Sequence, residues 1–66
     1  MNTNFRIQLF NADIKLRRAV DAGGFDPQSG FSVREIVDFV RNLPEVGNAE
    51  QLAQANAVLR RNGFAN

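Results

Sequence analysis

Residues 5–20 read Phe5-Arg6-Ile7-Gln8-Leu9-Phe10-Asn11-Ala12-Asp13-Ile14-Lys15-Leu16-Arg17-Arg18-Ala19-Val20, and the period assigned to them decides the fold. At about 100° per residue, Phe5, Leu9, Ala12, Leu16, Ala19 and Val20 fall in one stripe roughly 100° wide, the mark of an amphipathic helix. Thr3 is the expected N-cap. Gly23-Gly24 supplies the stop, with Gly24 expected at C′ and Phe25 at C″ folding back onto Val20. A competing pattern runs through the first turns, because Phe5 to Leu9 alternate apolar and polar as a strand would. Phe10 breaks that alternation, and Ile7 is the only β-branched residue in it. The longer period predicts a helix over about 4–22, with a short N-terminal strand in place of its first turns as the alternative.

Working outward, the segment from Phe25 to Phe31 reads as a loop, with Asp26-Pro27 favouring a turn and Gly30 permitting an unusual one. Ser32 and Glu35 then stand at the N-cap and N3 spacing of a capping box, with Phe31 and Ile36 placed as a hydrophobic staple. The helix they start shows Val33, Ile36, Val37, Phe39, Val40 and Leu43 on one broad face. Arg34, Glu35, Asp38 and Arg41 occupy the other. Pro44 ends it, since the residue before a proline resists helical geometry. Asn48 and Gln51 form a second candidate capping box. Behind it come Leu52, Ala55 and Leu59 as a thin stripe, with Ala49, Ala53, Ala57 and Val58 around them. Gly63 stops this helix and places Phe64 at C″ against Leu59. The expected fold is all-α: a compact bundle of three helices, about 4–22, 32–43 and 48–62, in one small domain spanning 1–66.

Composition narrows the function. The 66 residues include no Cys and no His. A chain this short buries only about 60% of the surface its unfolded form exposes, and neither a disulfide nor a zinc site of the usual ligands is open to it. Association is the remaining common route to stability. His, Cys and Tyr being absent, the commonest general base, the thiol nucleophile and the phenolic acid are missing too. Ser32 has no histidine to activate it. Asp13 with Asp21, and Glu35 with Asp38, sit among arginines on solvated faces. Gly23-Gly24 lacks the spacing of a phosphate loop. No catalytic residue, cofactor or metal is expected.

Eight Lys/Arg against seven Asp/Glu leave a net charge of +1, a weak basis for an electrostatically driven nucleic-acid binder. No apolar run approaches 18 residues, and Arg6, Asp13 and Lys15 interrupt the first 20 residues, so no membrane partner or signal peptide is expected. The expected setting is the cytoplasm.

One feature points to a partner. Ile7, Phe10 and Ile14 fall at i, i+3 and i+7, a second apolar stripe on roughly the opposite side of the first helix. If the main stripe builds the core, these three stand in water as a contiguous patch. Arg6, Arg17 and Arg18 would form its polar rim. The implied function is that of a non-enzymatic interaction module, a homodimer that also binds another protein, as small regulators and inhibitors of bacteria and phages do.

A second reading comes from outline. The run Ser32 to Leu43, Pro44, and then a helix ending Leu59-Arg60-Arg61-Asn62-Gly63-Phe64 resembles a helix-turn-helix. That resemblance implies a DNA-binding transcriptional regulator, with Gln51, Gln54, Arg60 and Arg61 on the recognition helix. The sequence departs from the pattern in the long turn at 44–48 and in Glu50, an acid where the helix would approach the bases. The strand reading of residues 5–9 would instead be similar to a ribbon-helix-helix dimer with Arg6 and Gln8 facing the groove. Residues 23–31 are longer than that family's loop.

Overall fold

The longer period prevails at the N-terminus. In a computed structural model that describes residues 3–64, the chain forms α1 (Thr3–Asp21), β1 (Phe25–Asp26), β2 (Phe31–Ser32), α2 (Val33–Asn42) and α3 (Ala49–Arg61). Residues 5–9 are helical, so the strand alternative and the ribbon arrangement built on it do not hold. The expected cap at Thr3 falls at the edge of the described residues, and its side chain lies outside them.

The three helices enclose one apolar cluster. α1 contributes Phe5, Leu9, Ala12, Leu16 and Ala19, α2 contributes Ile36, Val37 and Val40, and α3 contributes Ala55, Val58 and Leu59. Val33, Leu43 and Phe64 pack against its edges. Three expected core residues are exposed instead: Val20, Phe39 and Leu52, each about half accessible. Val20 lies about 100° round the helix from its neighbour Ala19, off the end of the α1 stripe. Phe39 is at the margin of the arc centred on Ile36, Val37 and Val40. Leu52 loses its place because α3 turns Gln51, not Leu52, inward.

Gln51 is turned in by a hydrogen bond. Its Oε1 accepts from the Glu45 N–H at 2.8 Å, tying α3 to the turn after α2. The expected second capping box is therefore half made. Asn48 caps α3 by accepting from the Gln51 N–H at 3.0 Å, while the Asn48 N–H donates to the Glu45 carbonyl. The first box is complete: Ser32 Oγ accepts from the Glu35 N–H, and Glu35 Oε1 accepts from the Ser32 N–H at 2.9 Å.

Both glycine stops are Schellman motifs. After α3 the Phe64 N–H donates to Leu59 O and the Gly63 N–H to Arg60 O, in the expected register. After α1 the motif sits one residue earlier than expected. Gly23 is C′ with φ +90°, and the Gly24 N–H closes onto Ala19 O at 2.7 Å. Phe25 is thereby released from capping and starts a strand.

The segment 25–32 is the main correction to an all-α reading. It is a small hairpin, with Phe25 paired to Ser32 and Asp26 to Phe31 in antiparallel register. Two strands this short have no independent stability. What holds them is Asp26, which has no solvent-accessible surface. Its carboxylate accepts from Arg18 Nε and Nη2, both at 3.1 Å, from Ser29 Oγ at 2.6 Å and from the Gln28 N–H at 3.2 Å. The last of these is an Asx turn, which Pro27 pre-sets. The Gly30 N–H closes the loop onto Asp26 O, and Gly30 takes φ +81° to do so. Among the described residues, no buried side-chain polar atom lacks a partner.

Two outcomes follow from these anchors. Ser32→Ala removes the acceptor for the Glu35 N–H and lowers stability by ~1 kcal/mol in urea unfolding. For Asp26, the hydrogen bonds from Arg18 and then Ser29 bring the carboxyl pKa from 3.8 down to about 2. The folded state thus favours the charged form, and this stability is present above the unfolded value and lost as pH falls through the folded one. The gap in unfolding free energy between the wild type and Asp26→Asn should narrow over that interval. A gap that stays constant would show that the carboxylate gains nothing from its partners.

Candidate functional site

The α1 stripe that builds the core dictates what the opposite face carries. Ile7, Phe10 and Ile14 are 54%, 65% and 40% exposed, aligned on the outer side of the helix as the spacing predicts. Of the expected rim, Arg17 and Arg6 are at the surface, and Arg6 also lines the groove between α1 and α3. Arg18 is not part of the rim: its guanidinium is committed to Asp26. No sequence signal assigned it there, because its partner lies eight residues on, across the helix stop.

Two grooves flank α1. Between α1 and α3 is an open groove of about 470 Å³ with Phe5, Leu9, Phe10 and Val58 among its apolar lining. At its edge Asp13 joins the two helices, accepting from Arg61 Nη2 at 3.1 Å and Asn62 Nδ2 at 2.8 Å. Phe10 belongs to both this groove and the outer stripe.

Between α1 and α2 lies a groove of about 430 Å³, with Ala12 and Ile36 beneath and Phe31 and Phe39 beside them. Lys15 Nζ stands 5.7 Å from the Phe31 ring centroid, within cation–π range. The sequence reading missed this groove by assigning Phe39 to the core. The signal available was its place at the margin of the α2 apolar arc.

Of the residues of the DNA reading, Gln51, Gln54 and Arg61 line the α1–α3 groove, while Arg60 stands outside it. Gln51 is only 7% exposed and serves the turn. Arg61 is paired with Asp13. Gln54 and Arg60 are exposed, with Gln54 lining the α1–α3 groove.

Among the described residues there is no group of three or more potential metal-ligating side chains, and no helix is long and apolar enough to cross a membrane. No family model, curated protein or solved structure matches the chain.

Gln51 has a structural task that a base-reading side chain would not. Gln51→Ala leaves the Glu45 N–H without that acceptor and should cost about 0.5–1.5 kcal/mol of stability. Equilibrium unfolding checks this, and an unchanged midpoint would release Gln51 from the structural role.

Proposed function

We propose that this chain is a small interaction module that acts by binding rather than catalysis. It pairs with a second copy through the outer face of α1 and, as a dimer, regulates or inhibits another protein. The observation that carries this reading is the alignment of Ile7, Phe10 and Ile14, all substantially exposed, opposite the side of α1 that the core occupies. Isolated exposed hydrophobes are ordinary, but three large ones aligned on a single helix face form a patch of the kind that marks an interaction site.

Magnitudes set the strength of such a pair. Fully burying each side chain is worth about 1.5–3 kcal/mol, and these are roughly half exposed, so each copy gains ~2–5 kcal/mol. Two copies together gain roughly 5–9 kcal/mol, against an association cost of about 4–15 kcal/mol. At the favourable end the surplus is about 5 kcal/mol, so the expected dimer is reversible, with a Kd of roughly 0.2 mM or weaker. The groove walled by Phe31 and Phe39 remains available to a second protein.

Sedimentation equilibrium over a wide dilution range tests the proposal. The wild type should show a concentration-dependent dimer. Ile7→Asp and Phe10→Asp, both at exposed positions, should weaken it at least tenfold with the helical circular dichroism retained. Arg34→Ala, on the exposed face of α2, should leave it unchanged. A chain that stays monomeric throughout, or aspartate variants that dimerise like the wild type, would remove this face from the function.

A further inference from the structure

We infer that Asn62-Gly63 is a site of spontaneous covalent modification that the fold holds shut, and that its conversion to aspartate undoes the clasp between α1 and α3. The outer face of α1 plays no part in it. Within the 66 residues Asn62 is the one asparagine followed by glycine. With no Cβ beside it, the glycine backbone nitrogen has the least hindered approach to the preceding side-chain amide.

The chemistry needs these two residues, a proton acceptor from solvent and one water. The Gly63 backbone nitrogen gives its proton to solvent and attacks Asn62 Cγ. The N–Cγ bond forms as the Cγ–Nδ2 bond breaks, and Nδ2 departs as ammonia, leaving a cyclic succinimide. Water then opens the ring. Breaking the new bond to Cγ yields aspartate. Breaking the bond to the backbone carbonyl carbon yields isoaspartate, whose main chain runs through Cγ. The balance is water in and ammonia out, with no change of oxidation state.

The folded chain withholds every atom of that first step. Asn62 Nδ2 donates to Asp13 Oδ1 at 2.8 Å and to Val58 O at 2.9 Å, which fixes the amide between α1 and its own helix. The Gly63 N–H donates to Arg60 O at 3.0 Å within the Schellman motif. Asn62 stands at φ −99° and ψ 10°, and the ring closes only when ψ turns to bring the nitrogen behind Cγ. That turn must release these hydrogen bonds together with the one from the Phe64 N–H to Leu59 O. Local opening at the end of α3 is therefore the gate to the reaction.

The product does not fit the place the asparagine leaves. In the aspartate, a donor becomes an anion facing two acceptors, the Asp13 carboxylate and the Val58 carbonyl. The Asp13 side chain is only 19% exposed and already accepts from Arg61 Nη2. In the isoaspartate, an added main-chain carbon moves Gly63 and Phe64 out of register with Arg60 O and Leu59 O, and draws Phe64 from the core edge on which it packs. Asp13 and Arg61 line the groove between α1 and α3, so the change falls on the edge of that groove.

The wild-type chain, held in mildly alkaline buffer either folded or unfolded in guanidinium chloride, provides the test, with conversion followed by mass spectrometry and peptide mapping. Exchange of ammonia for water should concentrate at Asn62 and run at least tenfold slower in the folded chain. Equal rates in the two states would overturn the protection. Asp13→Ala removes one acceptor of Nδ2, whereas Arg61→Ala leaves that hydrogen bond in place. Read well below the unfolding midpoint of each variant, Asp13→Ala should speed the folded-state reaction several-fold more than Arg61→Ala, and equal acceleration would show that the hold on Nδ2 is not the guard. Asn62→Asp, which installs the product directly, should lower the thermal midpoint by roughly 5–10 °C. A midpoint left unchanged would overturn the loss of the clasp.

Discussion

A single carboxylate organises the middle of this molecule. Asp26 is shielded from solvent, and its cost of burial is offset by the two-pronged hydrogen bond from Arg18 and by donors from Ser29 and Gln28. Arg18 stands on the last turns of α1, so the contact fixes where the chain goes after the helix stops. The hairpin that follows is too short to hold itself, and it delivers Ser32 to the start of α2. Just outside it the Val33 N–H donates to Gly24 O, closing the path from the end of one helix to the beginning of the next. The angle at which α2 meets α1, and so the groove between them, depends on this junction.

The parts of the fold legible in the sequence are those decided within a few residues. The Ser32–Glu35 box and the Gly63–Phe64 stop each depend on side-chain chemistry at fixed short spacing, and both form as that spacing requires. The α1 period is legible because its alternating steps of three and four extend over many residues, long enough to outvote a five-residue alternation. Where the outcome depended on distant chain, pattern failed. Leu52 is the more apolar neighbour of Gln51, yet Gln51 is the one turned inward, where its Oε1 accepts from the Glu45 N–H. The hairpin at 25–32 carries no strand period at all, since it exists through Asp26.

The candidate site divides in the same way. Ile7, Phe10 and Ile14 could be located without a structure, because a helix that commits one stripe to a core necessarily presents the opposite one. Their neighbours could not. Arg18 looks like a rim cation until Asp26 arrives from across the turn, and Phe39 looks like core until α2 docks slightly rotated. The arginines at the end of α3 show the same divergence, with Arg61 drawn to Asp13 on the first helix and Arg60 left outward. Side chains whose role depends on a second element are the ones that sequence alone misassigns.

The turn between α2 and α3 has a further consequence. Its base is pinned by Gln51 and Asn48 to Glu45, whereas Val46 at its tip is as accessible as in an isolated peptide, and Gly47 follows with φ +81°. Chain inserted between those two residues would leave the pinned base, the capped helices and the outer face of α1 undisturbed. This tip is thus the natural port for a fluorophore, an affinity tag or a fused domain, and the place where lineages of such a chain could gain length without losing their fold.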